Sequence, residues 1–300
     1  MDKDGFENRS RHKHKTLAVI VKNKGHQMRN ILLSTIIWLV ALGCFGQEQN
    51  RKNMLSLNIG TSYIARQDLI FSPMIHKDIS FLNVGIDYTR EAKLFQKASL
   101  RYGNFNPGVA TPFDFTIHGE SHTAYPHSFN FIDVDYLIGK KVKESPKSIF
   151  TVGGLFVMDV QAMNYVYGRT SSFGYYSTLG LGLFGKHQYT ISKKSNLTTT
   201  LQLPLMVWLA RSPYLVNDDE FIENTYSHSG FKTFMSFMGD GQLVTWNRLQ
   251  TFDLDIKYTY TLNEKWNLGV AYLFEFIHSS QPRNLLSYRQ SINFNANFRF

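Results

Sequence analysis

Residues 288–300, YRQSINFNANFRF, decide the fold. Tyr288, Gln290, Ile292, Phe294, Ala296, Phe298 and Phe300 fall on one side of an extended strand, and Arg289, Ser291, Asn293, Asn295, Asn297 and Arg299 on the other. Side chains alternate with period two in a strand, so one side is almost wholly apolar and the other wholly polar. The same rhythm recurs through Met54–Ala65, Ile79–Thr89, Gln96–Phe105, Phe131–Gly139, Ser148–Ala162, Leu179–Ile191, Leu197–Leu209, Phe252–Tyr260 and Trp266–Phe276. In Leu197–Leu209 it puts Leu197, Leu201, Leu203, Leu205, Val207 and Leu209 on the apolar side.

Each of these segments is near the length that crosses a bilayer at a tilt. Beyond Phe45 no apolar run approaches the length of a membrane helix. The expected class is therefore all-β: a transmembrane antiparallel β-barrel of ten strands. A count of twelve is the alternative, because Phe231–Met238 and Gln242–Trp246 flank Gly239-Asp240-Gly241 like a hairpin. Connection lengths give an independent check, since bacterial barrels have short periplasmic turns and long extracellular loops. Counting back from Phe300, Thr261–Lys265, Ser192–Asn196, Lys140–Lys147 and Arg90–Phe95 are periplasmic, and all are short. Ser279–Leu285, Ala210–Gln250, Met163–Thr178, Asn106–Asn130 and Arg66–Asp78 are extracellular, and most are long. Tyr63, Tyr88, Tyr136, Tyr258, Tyr260 and Trp266 fall near strand ends, where aromatic girdles form.

The terminal strand, ending on Phe300, resembles the C-terminal assembly signal of Gram-negative outer-membrane β-barrels. That resemblance implies the cell outer membrane, contact with the lipid bilayer and lipopolysaccharide, and recognition by the barrel-assembly machinery through the last strand. The front of the chain agrees with export. Residues 28–46 read as a signal peptide: Arg29, the apolar run Ile31–Phe45, then small residues before Gln47. Residues 1–27 read as an over-extended start or a long basic region, and residues 47–300 as a single barrel domain. Ala41-Leu42-Gly43-Cys44 loosely resembles a lipoprotein cleavage box. Residues 1–46 hold eight of the 32 Lys/Arg and three of the 23 Asp/Glu, leaving 24 against 20, net +4. The basic balance is thus largely in the leader, and no interleaved basic–aromatic cluster points to nucleic acid. Removal of Cys44 with the leader excludes disulfides and thiolate chemistry.

The polar side carries Arg101, Asp133, Asp135, Asp253, Asp255, Lys257 and Arg289. A ten-stranded barrel is narrow, so these lumen charges either pair across it and fill it or line a selective path for small solutes. Outer loops contain His76, His118, Glu120, His122 and His127, ligand types whose spacing gives no defined metal site. His278 and Ser280, two apart on the lipid-facing phase, resemble the His-x-Ser motif of outer-membrane phospholipase A and the barrel-type lipid A deacylase. By that resemblance His278 is general base and Ser280 nucleophile. Here, however, Gln281 and Pro282 follow, and no Asp or Glu lies beyond Glu275 to orient the imidazole. No cofactor fingerprint occurs. Three readings remain: a structural or narrow-pore barrel of unknown solute, a membrane-embedded serine acylhydrolase, and a surface binding protein acting through its loops.

Overall fold

The computed structural model describes residues 52–108, 113–124, 126–167, 170–212, 216–217 and 230–300. The leader, including Cys44, lies outside them. Ten long strands form the wall. In chain order these are β1 (Asn53–Asp68), β2 (Ser72–Glu91) and β3 (Phe95–Phe105), then β6 (Ser128–Glu144), β7 (Ser148–Tyr167), β8 (Thr170–Ser192) and β9 (Ser195–Arg211). The last three are β12 (Leu249–Thr261), β13 (Trp266–Ser279) and β14 (Leu285–Arg299). Short pieces decorate the long-loop end: the hairpin β4 (Phe113–Ile117) and β5 (Glu120–Ala124), β10 (Val216–Asn217), the helix α1 (Gly230–Gly239) and β11 (Gln242–Thr245).

Each long strand pairs antiparallel with two neighbours, in the ring order β1, β2, β3, β6, β7, β8, β9, β12, β13, β14 and back to β1. The seam is continuous from Met54 opposite Arg299 to Asp68 opposite Leu285. Closure removes the sheet edges that hydrocarbon cannot solvate. The ten expected strands are all present and make a closed antiparallel barrel.

Polarity is inverted relative to a soluble barrel. On β14, Phe294 is 65% exposed on the outside, whereas Asn297 is 0% exposed on the inside. Ile59, Phe81, Leu100, Leu181, Leu201, Leu268 and Ile292 continue the bare apolar belt around the wall. Exposed apolar surface far beyond a few hundred Å² is untenable in water, while bilayer hydrocarbon covers it at no cost. The chain is therefore a transmembrane barrel of the outer-membrane type, with short turns at the periplasmic end, and its place is the outer membrane.

Three expectations change. The twelve-strand alternative fails because the first arm of its hairpin is the helix α1, and β11 pairs with β9 outside the ring. Two expected loops are largely strand: β7 runs to Tyr167 and β8 restarts at Thr170, and β1 and β2 are joined by a tight turn at Leu69–Phe71. Counting only the residues needed to cross a bilayer truncates walls that continue above it. Finally, Leu205 is a β-bulge, since Leu181 pairs with Met206 but Gly182 with Pro204. One extra residue reverses the alternation. Val207 and Leu209 consequently point inward and are buried, while Met206 and Trp208 take the lipid side. Deleting Leu205 should send Val207 and Leu209 outward and strip the inner aromatic cluster of two members. The expected result is loss of the compact, heat-modifiable band on gels after refolding into detergent.

Candidate functional site

The lumen is built in three floors, each from the inward phase of its strands. The middle floor is ionic. Arg101 of β3 reaches Asp135 at 3.0 Å and Glu275 at 3.5 Å, and lies 3.8 Å from Asp133 and 3.7 Å from Asp253. Arg289 of β14 donates from Nε and Nη2 to the two carboxylate oxygens of Glu275, and from Nη2 to Asp133. Lys97 of β3 sits 3.7 Å from Asp87 and 3.8 Å from Asp255. Lys257 donates to Asn297 Oδ1 at 2.9 Å. An amide ladder continues the lattice: Asn83 Nδ2 donates to Asn293 Oδ1 at 2.9 Å, and Asn58 Nδ2 to Asp87 Oδ2 at 3.1 Å.

Ring position decides what these pairs do. β3 and β12 are five strands apart in either direction around the ten-strand ring. The Lys97–Asp255 and Arg101–Asp253 pairs therefore span the full width of the lumen. Arg289 to Asp133 joins strands four apart. Among the described residues, cavities of about 40 Å³ beside Lys97, Asp255 and Lys257 and about 20 Å³ beside Asp159, Asp253 and Arg289 interrupt the lattice. Each holds a few waters at most.

Apolar clusters flank the ionic floor on both sides. Towards the periplasm, Phe95, Leu137, Leu155, Val157 and Phe184 pack together inside the wall. Lys186 Nζ lies 4.1 Å from the Phe95 ring centroid and 3.0 Å from Glu91. Towards the outside, Phe71, Phe105, Phe129, Phe131, Met163 and Tyr165 are among the residues of a larger buried cluster. Phe71 stacks on Tyr165 at 4.5 Å, and His76 meets His127 edge-on at 5.0 Å. His127 Nδ1 accepts the Val166 N–H at 2.8 Å, and burial lowers the pKa of this imidazole below its usual value.

Beside that cluster, Asp68 accepts from two guanidiniums. Arg211 Nη2 donates to its Oδ1 at 2.7 Å, and Arg66 Nη2 to its Oδ2 at 3.3 Å. Arg66 Nη1 also donates to Gln161 Oε1 at 2.8 Å. Arg211 Nη1 donates to the backbone carbonyls of Gln281 and Arg283, both at 2.7 Å, which pins the β13–β14 loop across the mouth.

Arg101, Asp133, Asp135, Asp253, Asp255, Lys257 and Arg289 all face the lumen, and the ion pairs above bring all but Lys257 into contact with opposite charge. His278 and Ser280 are not brought together. The His278 imidazole Nδ1 faces Gln250 Oε1 at 3.1 Å, and the Ser280 backbone N–H donates to Arg248 at 3.2 Å. No hydrogen bond joins the two side chains among the described residues. Of the loop histidines, His118 occupies the β4–β5 turn at φ 51° and His122 Nε2 lies 3.7 Å from Glu120. Among the described residues no group of three or more His, Cys, Asp or Glu is placed to hold a metal ion.

Sequence reasoning missed Lys97, whose position follows from the phase that puts Ala98 and Leu100 outside. It also missed Arg66, Asp68 and Arg211, which were assigned to loops. The apolar floors left a signal as well: around Phe131-Ile132 and Tyr136-Leu137-Ile138 both faces of β6 are apolar.

No protein-family model matches the chain, and no curated protein matches its sequence. Similar solved structures include the outer-membrane protease OmpT from Escherichia coli, 7% identical, covering 85% of this chain and 99% of that one at a TM-score of 0.47. The translocator domain of the autotransporter NalP from Neisseria meningitidis is 9% identical, covering 92% and 98%, at 0.37. Neisserial surface protein A is 8% identical, covering 83% and 97%, at 0.34. Likeness this low carries nothing about activity; the chain's place among outer-membrane barrels follows from its own closure and inverted polarity.

Proposed function

We propose that the chain is a structural outer-membrane barrel whose lumen is closed to solutes. The observation that carries this is the pairing of Lys97 with Asp255 and of Arg101 with Asp253 across diametrically placed strands. A hydrated solute would have to break those pairs and also displace the larger apolar cluster, whose members come from strands all round the ring. These side chains, 16–23% exposed, meet at 3.7–3.8 Å across the whole width of the lumen, so a solute finds charge pairs in its path wherever it enters.

Planar-bilayer recording tests this. The purified barrel should insert and give no discrete current steps. Replacing both Arg101 and Arg289 with serine should create a leak that favours cations. Seven inward carboxylates (Asp87, Asp133, Asp135, Asp159, Asp253, Asp255 and Glu275) would then face only Lys97 and Lys257 in the middle floor. Stable steps from the unmodified protein would return the lumen to the narrow-pore reading.

A further inference from the structure

The mature chain's positive balance is not spread evenly. The periplasmic end of β6 exposes Lys140, Lys141 and Lys143, the β6–β7 turn Lys147, and the β8–β9 turn Lys193 and Lys194. The end of β2 adds Arg90, the β2–β3 turn Lys93, the β12–β13 turn Lys265, and Lys52 stands just ahead of β1. Only Glu91, Glu144 and Glu264 oppose them there, and two of those are engaged, Glu91 by Lys186 and Glu144 by Lys141. The other nine exposed cations of this rim make no ion pair among the described residues. Among the described residues the opposite rim is balanced: Lys77, Arg248 and Arg283 stand against Asp78, Asp114, Glu120 and Asp240.

At or next to each of these turns a bare apolar side chain stands beside the charge. Leu94 follows Lys93 and is 43% exposed; Val142 sits between Lys141 and Lys143 at 57%. Ile191 precedes Lys193 at 54%, and Leu262 precedes Lys265 at 50%. Below them the lipid-facing aromatics Tyr189, Tyr258, Tyr260 and Trp266 mark the edge of the belt. A polar polymer such as the cell wall would gain nothing from leucine and valine at its contact surface. A headgroup layer accommodates both parts, because the apolar groups enter the acyl boundary while the lysines reach the phosphates.

We propose that this periplasmic rim is a selective binding surface for anionic phospholipid in the inner leaflet, gathering headgroups whose phosphate lacks a neighbouring ammonium. Attraction of this kind falls off within a Debye length and weakens with salt.

The test uses the full chain with Trp38, Trp208 and Trp246 changed to phenylalanine. Trp266, beside Lys265, is then the sole indole, four tryptophans being present in all. The refolded barrel is placed in phosphatidylcholine vesicles containing brominated phosphatidylglycerol or brominated phosphatidylcholine, and quenching of Trp266 is titrated. At low salt the association constant for the anionic lipid should exceed that for the zwitterionic one by about fivefold. Half-molar sodium chloride should bring the ratio near unity with no substitution made. So should Lys140→Gln, Lys141→Gln, Lys143→Gln, Lys193→Gln and Lys194→Gln together, while arginine at the same five positions keeps the preference. Heat-modifiable mobility checks that each variant is folded. Equal quenching by the two lipids at low salt overturns the assignment, as does a preference that survives the five glutamines. Loss of sacculus binding by the glutamine variant, with a lipid ratio of unity throughout, would transfer the rim to the cell wall.

Discussion

Replacing Arg289 with alanine is expected to destabilise the barrel by about 3–5 kcal/mol, the cost of stripping one partner from a buried ion pair. Arg289 serves both carboxylate oxygens of Glu275 and also Asp133, and all three residues are buried. After truncation the two carboxylates share only Arg101, at 3.8 Å from Asp133 and 3.5 Å from Glu275. Reversible urea unfolding in lipid vesicles, followed by tryptophan emission, measures the loss. A double-mutant cycle separates pairing from packing: Arg289→Met with Glu275→Gln should recover a substantial part of what Arg289→Met loses alone. A loss below about 1 kcal/mol, the size of a solvated surface pair, would mean that water already screens the lattice.

The second large effect belongs to Asp68→Asn. This change leaves Arg66 and Arg211, both nearly inaccessible, as two neighbouring cations without their shared carboxylate. The expected cost is again about 3–5 kcal/mol, but it falls on the mouth rather than on the middle of the wall. Arg211 also holds the carbonyls of Gln281 and Arg283, so its displacement releases the β13–β14 loop. Trypsin should cut the variant after Arg283 in intact vesicles much faster than the parent protein. Equal cleavage would show that the loop is held by something other than Arg211.

The wall was legible because period-two alternation is a local property: each segment names its own inner and outer face without knowledge of its neighbours. Val207 and Leu209 escaped that logic, since a single extra residue at Leu205 reverses the phase and hydrophobicity alone does not mark a bulge. The lumen was legible in part. Arg101, Asp133, Asp253 and Arg289 could be assigned to the interior by phase, but which strands oppose each other depends on ring order. That Arg101 meets Asp253 is a fact of closure that no window of sequence contains. Arg66, Asp68 and Arg211 were hidden for a different reason: the strands outrun the bilayer, so residues counted as loop lie inside the wall. The basic rim was visible only as a whole-chain charge until the turns were gathered at one end.

A hoop without internal ties flattens when squeezed from the side. In this barrel Lys97–Asp255 and Arg101–Asp253 act as spokes between facing arcs of the wall. Their consequence is mechanical: changes in lateral pressure, as lipids crowd or thin around the molecule, meet a cross-section braced against becoming oval.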